Sequence, residues 1–259
     1  MSNNLKWDYA KFSSEDNVRM EEYTSPPARA MLVQAGLLPS APESALVLDN
    51  ACGAAIVTSL LFEALGKTSG LRVVCGDLEE AMVKTAADRI AHNGWNAEAR
   101  VADAQALPFP DNHFTHNMMN FGIQMIPDIP LVLKESFRVL KSGGKVGITT
   151  WTAPGWVTSL QSVFPSWAPP PLFVSGPLAS KGAITSLLSA TGYVGIEVQP
   201  VSFEYTESMS RYLKYMRPLL EKVLVEEKPE TYEAYMREHF GDGDLTMTWE
   251  ACAITAEKP

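Results

Sequence analysis

The sequence predicts an α/β fold in which a mostly parallel sheet carries helices on both faces. Two features lead to this class. Short apolar runs of strand length alternate along the chain with longer segments of helical spacing, beginning at residues 45–51 and 54–65. The first run ends in Asp49 and a turn of small residues that leads directly into a helix. Ligands of open α/β sheets bind beyond the carboxyl ends of the strands, so this turn marks the expected site.

The composition limits the classes of protein that fit. The chain has 259 residues, 46% of them hydrophobic, which suits one domain with a sizeable core. A net charge of -9 argues against a nucleic-acid partner, because such a partner favours a basic face. The three cysteines lie far apart and indicate buried thiols without metal-ligand spacing, so no metal is expected. With no signal peptide and no membrane-length apolar run in the sequence, we expect a cytoplasmic protein without a membrane partner.

The first 43 residues precede the first strand and are expected to form a helical lid. Residues 18–23 have a helical pattern, and Pro26-Pro27 predicts the start of a second helix over residues 28–35. Tyr23 is the candidate in this segment for contact with a ligand. The alternative is that the segment only packs on the core.

Polar residues recur where the next strands end. The further strands of the first half are predicted at residues 71–77, 97–101, 114–120 and 146–151. The candidate residues at or after their ends are Asp77 and Leu78, Asp103 and Ala104, and Asn120 and Phe121. Asp77 could instead cap the helix that follows it, since aspartate is a preferred N-cap. Three acids at three successive strand ends, however, indicate a binding site more than core packing.

The second half of the chain has a different character. Residues 152–178 are rich in aromatic residues and proline, which suits the wall of an apolar pocket or a loop packed on the sheet edge. Helices are predicted at residues 180–190, 209–227 and 230–240, and strands at 196–205 and 245–256. The candidates for substrate contact are Trp151, Trp156, Phe173 and Tyr212, with core packing as the alternative. None of the four histidines has a context that gives it a catalytic role, and His116 is expected to be a hydrogen-bonded core residue.

Three segments resemble class I S-adenosylmethionine (SAM) methyltransferases. Residues 49–55 are similar to the motif acid-x-Gly-x-Gly-x-Gly, with Ala51 and Ala55 in place of two glycines. Residues 103–111 resemble the segment D-A-x-x-L-P-F-P-D of the ubiquinone/menaquinone-type methyltransferases, and residues 133–144 resemble L-x-E-x-x-R-V-L-K-P-G-G. Residues 48–53 also look like small fungal methyltransferases of secondary metabolism.

The resemblance implies a Rossmann-like sheet of seven strands whose last strand is antiparallel. It implies one domain over residues 1–259, with a lid (1–43), a cofactor-binding core (44–151) and a substrate-side segment (152–259) that holds a helical insertion and the last two strands. The cofactor would be SAM and the product S-adenosylhomocysteine. The implied cofactor-binding residues are Tyr23, Asp49, Asn50, Ala51, Gly53, Asp77, Leu78, Asp103, Ala104, Asn120 and Phe121. Among these, Asp77 would accept hydrogen bonds from the ribose hydroxyls and Asp103 from the exocyclic amine of adenine.

The expected reaction is methyl transfer to an O, N or S atom of a small, largely apolar metabolite. It would proceed by in-line displacement, accelerated by proximity and orientation. A thiolate or an amine needs no base, and no catalytic base is nominated. The alternatives are a SAM-binding fold with a pericyclic or regulatory role, a nicotinamide-dependent oxidoreductase, which the missing glycines disfavour, and a protein or RNA methyltransferase. The substrate and the oligomeric state, monomer or dimer, stay open.

Overall fold

The computed structural model describes residues 14–67, 70–169, 180–224 and 227–259. The strands are β1 (Leu46–Asn50), β2 (Arg72–Asp77), β3 (Ala97–Val101), β4 (Phe114–Asn120), β5 (Leu140–Ala153), β6 (Val194–Ser208) and β7 (Asp244–Glu257). The helices are α1 (Ser14–Gln34), α2 (Ile56–Leu65), α3 (Glu80–Asn93), α4 (Ile129–Val139), α5 (Gly155–Val163), α6 (Lys181–Thr191), α7 (Met209–Val223) and α8 (Pro229–Phe240). A short 3₁₀ helix covers Ile123–Met125.

The strands form a seven-stranded sheet in the order β3-β2-β1-β4-β5-β7-β6. β1 pairs in parallel with both β2 and β4, with Leu48 opposite Val74 on one side and Asn117 on the other. β3 and β5 extend this parallel region at its two sides, and the last strands are antiparallel. The predicted fold class is therefore confirmed. Since parallel strands end at one edge, the carboxyl ends of β1 to β4 meet there.

The chain divides into two compact units. Among the described residues, the sheet unit comprises residues 14–67, 70–150, 180–201 and 252–259, and the aromatic unit comprises residues 151–169, 202–224 and 227–251. β5, β6 and β7 each run from one unit into the other. The organisation of the chain as one domain stays a prediction.

Two apolar clusters stabilise the sheet unit. Side chains alternate along β1, so that Leu46 and Leu48 lie in one cluster and Val47 lies in the other. The first cluster takes Val132 and Leu133 from α4. The second takes residues from α1 and α2, among them Met31, Leu32, Leu60 and Leu61. Burial of these helix faces, rather than helix propensity, holds the sheet and its strand ends in place.

The N-terminal segment is one continuous helix, which corrects the prediction of two. α1 passes through Pro26 and Pro27, although neither proline can donate a backbone hydrogen bond. Just before them, the hydroxyl of Thr24 donates to the Met20 carbonyl (2.6 Å), and Ser25 bonds back in the same way. The interruption is tolerated because burial of the helix compensates for the lost bonds.

The second half of α1 belongs to the core. Ala28, Met31 and Leu32 are fully buried in the second apolar cluster. Removing residues 1–36 would therefore unfold the sheet unit rather than only uncover a ligand. The covering role of the first half, with Tyr23 half-buried under the Arg19 guanidinium, stays a prediction.

The predicted turn before strand 5 is a bulge inside a longer strand. Phe114 pairs with Leu140 and His116 with Lys145, so residues 141–144 all lie opposite Thr115. Gly143 takes up the excess chain with a φ of 74°, which favours glycine. Its N–H donates to the Lys258 carbonyl (2.7 Å), and this bond ties the bulge to the C-terminal tail.

The aromatic unit contains a helix in the segment that was expected to be the wall of an apolar pocket or a loop. α5 occupies residues 155–163 and buries Trp156, whose ring centroid lies 6.3 Å from that of Trp167. Trp151 packs against Trp249, with ring centroids 5.2 Å apart, and against Phe203. The proline-rich composition is compatible with a loop, but residues 155–163 form a short helix because one of its faces is apolar and is buried.

Candidate functional site

The loop after β1 has an unusual backbone. Ala51, Gly53 and Ala55 have φ values of 53°, 52° and 62°. These are the three positions at which the resembling motif carries glycine. A left-handed alanine costs about 1–2 kcal/mol, and such strain clusters at functional sites. A Cβ added at Gly53 would meet nothing within 4 Å, so the loop borders open space there.

Asp77 holds this loop. The Gly53 N–H donates to Asp77 Oδ2 (2.8 Å), and the Glu79 N–H donates to its Oδ1 (3.0 Å). The N-cap of α3 is Glu79, so Asp77 lies before the cap and is not the cap itself. Burial raises the pKa of the half-buried carboxyl above its ordinary value. Each carboxylate oxygen retains a second lone pair for a ligand hydroxyl.

Asp49 is buried and bonds to the helix that follows the loop. The carboxyl is 1% exposed, and its Oδ2 accepts from the N–H (3.1 Å) and the hydroxyl (2.7 Å) of Thr58. The N-cap of α2 is Ala55, which has no capping side chain. Asp49 therefore caps the helix from the preceding strand, and its role as a cofactor contact stays a prediction.

The buried carboxyl of Asp49 should make folding stability depend on pH. Burial raises its pKa from 3.8 to about 7. The folded state thus holds this proton more tightly than the unfolded state, so stability is fully present at low pH and is lost as pH rises through 7. Between pH 5.5 and pH 8 we expect a loss of about 2 kcal/mol from this residue. Urea unfolding should show that loss in the native chain and a flatter profile in Asp49→Asn, and identical profiles would contradict it.

Asn50 contributes a buried polar side chain next to Asp49. Its amide is fully buried on the face of β1 that carries Leu48, and neither its oxygen nor its nitrogen has a hydrogen-bond partner among the described residues. Asn117, opposite Leu48 on β4, is in the same state. The role of Asn50 as a cofactor contact stays a prediction.

Substitution of Asn50 by leucine should stabilise the protein. Each unsatisfied buried polar group costs about 1–3 kcal/mol, and leucine has a similar shape without that cost. We expect Asn50→Leu to raise the free energy of unfolding by about 1–2 kcal/mol and to leave cofactor affinity unchanged. Chemical unfolding checks the first effect, with Asn117→Leu as the matched variant. A loss of stability in both would show that internal water satisfies these amides.

Asp103 and Ala104 form a tight turn after β3. Asp103 Oδ1 accepts from the Gln105 N–H (2.8 Å), and Asp103 bridges to Ala106. Ala104 is buried under this turn. Leu78, which follows the half-buried Asp77, is 58% exposed, an unusual position for a large apolar side chain. An apolar and an acidic group thus lie next to each other at the end of β2.

The loop after β4 is fixed by a residue that the sequence did not indicate. The buried Thr149 hydroxyl donates to Asn120 Oδ1 (2.6 Å) and accepts from the Phe121 N–H (3.0 Å). Asn120 lies opposite Thr149 in the register of β4 and β5. These two bonds fix the orientation of the Asn120 amide and hold the backbone of Phe121, whose φ is 57°.

The two downstream motifs pair with each other. Arg138 donates two bonds to Glu135, at 2.8 and 2.7 Å. It also donates to the Asp111 carboxylate (2.8 Å) and to the carbonyls of Leu107 and Phe109. Glu135 in turn accepts from the Leu107 N–H (2.8 Å). We call this pair the Arg138–Glu135 clamp. It holds the segment 103–111 in place and thereby supports the turn at Asp103.

Arg89 is a second support that sequence reasoning missed. From α3 it donates to the Ala54 carbonyl (2.6 Å) and to the Ser59 hydroxyl (3.1 Å). It also forms an ion pair with Glu21 of α1 (3.0 Å). Arg89 thus joins α1, the loop after β1 and α2. A lone arginine on an amphipathic helix gives no sequence signal for such contacts.

The predicted substrate residues lie in the aromatic unit or outside the described residues. Trp151, Trp156 and Tyr212 are buried in that unit, whereas Phe173 lies outside the described part of the chain. The Tyr212 hydroxyl lies 3.1 Å from that of Ser159 and 2.5 Å from that of Tyr232. These residues stay predictions for substrate contact.

His116 is buried on β4, as expected. Its Nδ1 lies 2.9 Å from the Thr115 hydroxyl, and burial lowers the pKa of the ring to about 4. Within the described ranges, no three His, Cys, Asp or Glu side chains are grouped to hold a metal ion. No helix among the same residues is long and apolar enough to cross a membrane.

Comparison with known proteins places these features in a family. The chain matches the ubiE/COQ5 methyltransferase family over residues 34–181. It is 30% identical to the methyltransferase ktnA of Aspergillus niger over 256 residues, which cover 83% of this chain and 84% of that protein. It is 28% identical to the acetylaranotin bis-thiomethyltransferase of Aspergillus terreus, covering 92% of each chain.

Solved structures are similar in fold. The YcgJ protein of Bacillus subtilis matches with a TM-score of 0.60 and 18% identity over 90% of this chain and 97% of that one. A geranyl diphosphate methyltransferase in complex with SAM matches with a TM-score of 0.53 and 16% identity, over 96% of this chain and 92% of that one. At these identities the likeness concerns the fold alone.

Proposed function

Since the chain belongs to the ubiE/COQ5 methyltransferase family and is a SAM-dependent methyltransferase, we propose that its acceptor is an O, N or S atom of a small, largely apolar metabolite. The observation that best supports a cofactor site is the arrangement of Asp77. Its half-buried carboxylate fastens the strained loop after β1 and still has an acceptor lone pair on each oxygen.

The residues at the strand ends fit SAM by their chemistry. The acidic side chains Asp77 and Asp103 can accept hydrogen bonds from a ribose diol and from an adenine amine, and the exposed Leu78 offers an apolar surface to a base. Gly53 borders open space, so the backbone of its loop can approach a ligand closely. When bound, SAM supplies an activated methyl group on a sulfonium.

The contribution of the chain is to fix groups before the ligand arrives. Thr149 sets the Asn120 amide, and Arg89 and Asp77 hold the loop after β1 from two sides. Rigid donors and acceptors of this kind raise the rate by orientation, because they do not have to reorganise during the reaction. The described residues offer no evident base, which suits an acceptor that is already nucleophilic, such as a thiolate or an amine.

The aromatic unit supports a small apolar acceptor. It holds several buried tryptophans, including Trp151, Trp156 and Trp249, and its segment 151–169 contains no charged residue. A net charge of -9 also speaks against RNA as the acceptor. The acetylaranotin bis-thiomethyltransferase, whose name states that it methylates thiols, resembles this chain along 92% of its length. We therefore include sulfur among the acceptor atoms.

Calorimetry followed by mass spectrometry tests the proposal. S-adenosylhomocysteine should bind to the purified chain, whereas NAD as the control ligand should not. The chain is then incubated with SAM and a panel of small thiols, phenols and amines, beside an acidic peptide and a short RNA. A product heavier by one methylene group is expected from the small molecules only. Methylation of the peptide or the RNA alone would overturn the substrate class.

A SAM-binding role without methyl transfer is the second candidate. This candidate is supported by Ala51 and Ala55, which are left-handed and place methyl groups in the loop where the resembling motif has glycine. The same experiment separates the two. Binding of S-adenosylhomocysteine without product from any acceptor class would support the second candidate, and Ala55→Gly would then be the first variant to assay.

A further inference from the structure

Gly122 follows the left-handed Phe121 but has an ordinary helical backbone itself. Its φ and ψ are -71° and -41°, a conformation open to any residue. Its reason for being glycine is space. A Cβ added at this position would lie 2.6 Å from the Cβ of Ala51, closer than real Cβ atoms approach. The next atom, Met119 Cγ at 3.1 Å, is also close, but a shift of a few tenths of an ångström would relieve that contact.

The contact joins the two loops of the candidate site. We name residues 51–55 the β1 loop and residues 121–122 the β4 loop. Ala51 opens the β1 loop with a φ of 53°, and Phe121 opens the β4 loop with a φ of 57°. Neither residue is glycine, so each conformation is strained and must be held by its surroundings. The strained residue of one loop thus contacts the other loop at the point where glycine leaves room for it.

Different side chains bond to the two loops. Asp77 and Arg89 bond to the β1 loop, and the Thr149 hydroxyl bonds to the β4 loop. The methyl group of Ala51 against the bare Cα of Gly122 is a direct packing contact between one loop and the other. Because this contact is tight, adding or removing one methyl group at either residue should change the distance between the β1 loop and the β4 loop.

We propose that Ala51 and Gly122 are a matched pair that sets the spacing between the β1 loop and the β4 loop, and that this spacing determines cofactor affinity. Ala51 is thus a positioning residue, and Gly122 is glycine because Ala51 is not. The inference rests on the proposed function, in which the two loops hold SAM. If the pair sets the spacing, moving one methyl group from position 51 to position 122 should preserve that spacing.

A double-mutant cycle tests the pair. The variants are Gly122→Ala, Ala51→Gly and the double variant Ala51→Gly/Gly122→Ala. Thermal unfolding without ligand and calorimetric titration with S-adenosylhomocysteine are measured for each. We expect Gly122→Ala to lower the melting temperature and to weaken binding about tenfold or more. The double variant should recover the melting temperature and bind within about threefold of Ala51→Gly.

A matched control separates this effect from a general effect of alanine. Gly182 lies in α6, and a Cβ added there would meet nothing within 4 Å. Gly182→Ala should not lower the melting temperature, because alanine favours a helix more than glycine does, and it should leave the affinity unchanged. If Gly122→Ala fails to fold while the double variant folds, the rescue itself supports the pair.

Two outcomes would overturn the inference. Recovery of the melting temperature without recovery of affinity would show that the spacing set by the pair does not determine cofactor affinity. Absence of recovery in both measurements, or a Gly122→Ala variant that behaves like Gly182→Ala, would show that the two positions are not coupled. A native chain that fails to bind S-adenosylhomocysteine would instead count against the proposed function, while the stability cycle would still decide whether the residues are paired.

Discussion

Replacing Asp77 by alanine is expected to weaken binding of S-adenosylhomocysteine about 100-fold. Each charge-assisted hydrogen bond from a ribose hydroxyl to the carboxylate contributes about 1.5–3 kcal/mol of binding free energy. A 100-fold loss of affinity corresponds to about 2.7 kcal/mol. Calorimetric titration measures it. Asp88→Ala is the matched control, because Asp88 is an exposed aspartate on the following helix that pairs with Lys84. Asp88→Ala should leave the affinity unchanged.

The structure adds a second effect of this substitution that must be separated from the first. Asp77 also accepts from the Gly53 N–H, so its loss loosens the loop after β1 even without a direct ligand contact. An S-adenosylhomocysteine analogue without the 2′-hydroxyl separates the two effects. The native chain should bind this analogue more weakly than the parent ligand, whereas Asp77→Ala should bind both alike. An equal penalty for the analogue in both proteins would refute the contact with the ribose.

Replacing Arg138 by alanine is expected to cost about 2–3 kcal/mol of folding stability. The substitution removes five hydrogen bonds and leaves Glu135 without its guanidinium partner. Arg138→Lys should recover little, because an ammonium cannot make the parallel bonds of a planar guanidinium. Urea unfolding measures both variants.

Arg217 provides the control for this effect. It also contacts three carboxylates, those of Glu221, Glu230 and Glu233, but Glu221 and Glu230 are 58% and 62% exposed, whereas Glu135 is 17% exposed. Exposed ion pairs contribute little, so Arg217→Ala should lose much less stability than Arg138→Ala. Equal losses would show that the Arg138–Glu135 clamp has no special role. Because the clamp holds the segment 103–111, Arg138→Ala should also weaken cofactor binding.

Local patterns were sufficient to predict most of the fold. The predicted strands matched β1 to β4 to within about one residue at each end. For β1 and β2 the reason is that a strand buried on both faces leaves a nearly continuous apolar run. The errors occur where tertiary contacts override a local signal. Pro26 and Pro27 lie inside α1 because burial outweighs two missing bonds, and residues 141–144 bulge within β5 because the C-terminal tail pairs with them.

The candidate site divides in the same way. Local patterns were sufficient to place three acids at one edge of the sheet, because the carboxyl ends of parallel strands meet at one edge whatever the details of packing. The role of each group there depends on the tertiary structure. It turned Asp49 inward to cap α2, placed Thr149 under Asn120, brought Arg89 to the loop after β1 and set the Ala51 methyl against Gly122. Such contacts join residues far apart in the chain, and their distances depend on packing that no local pattern records.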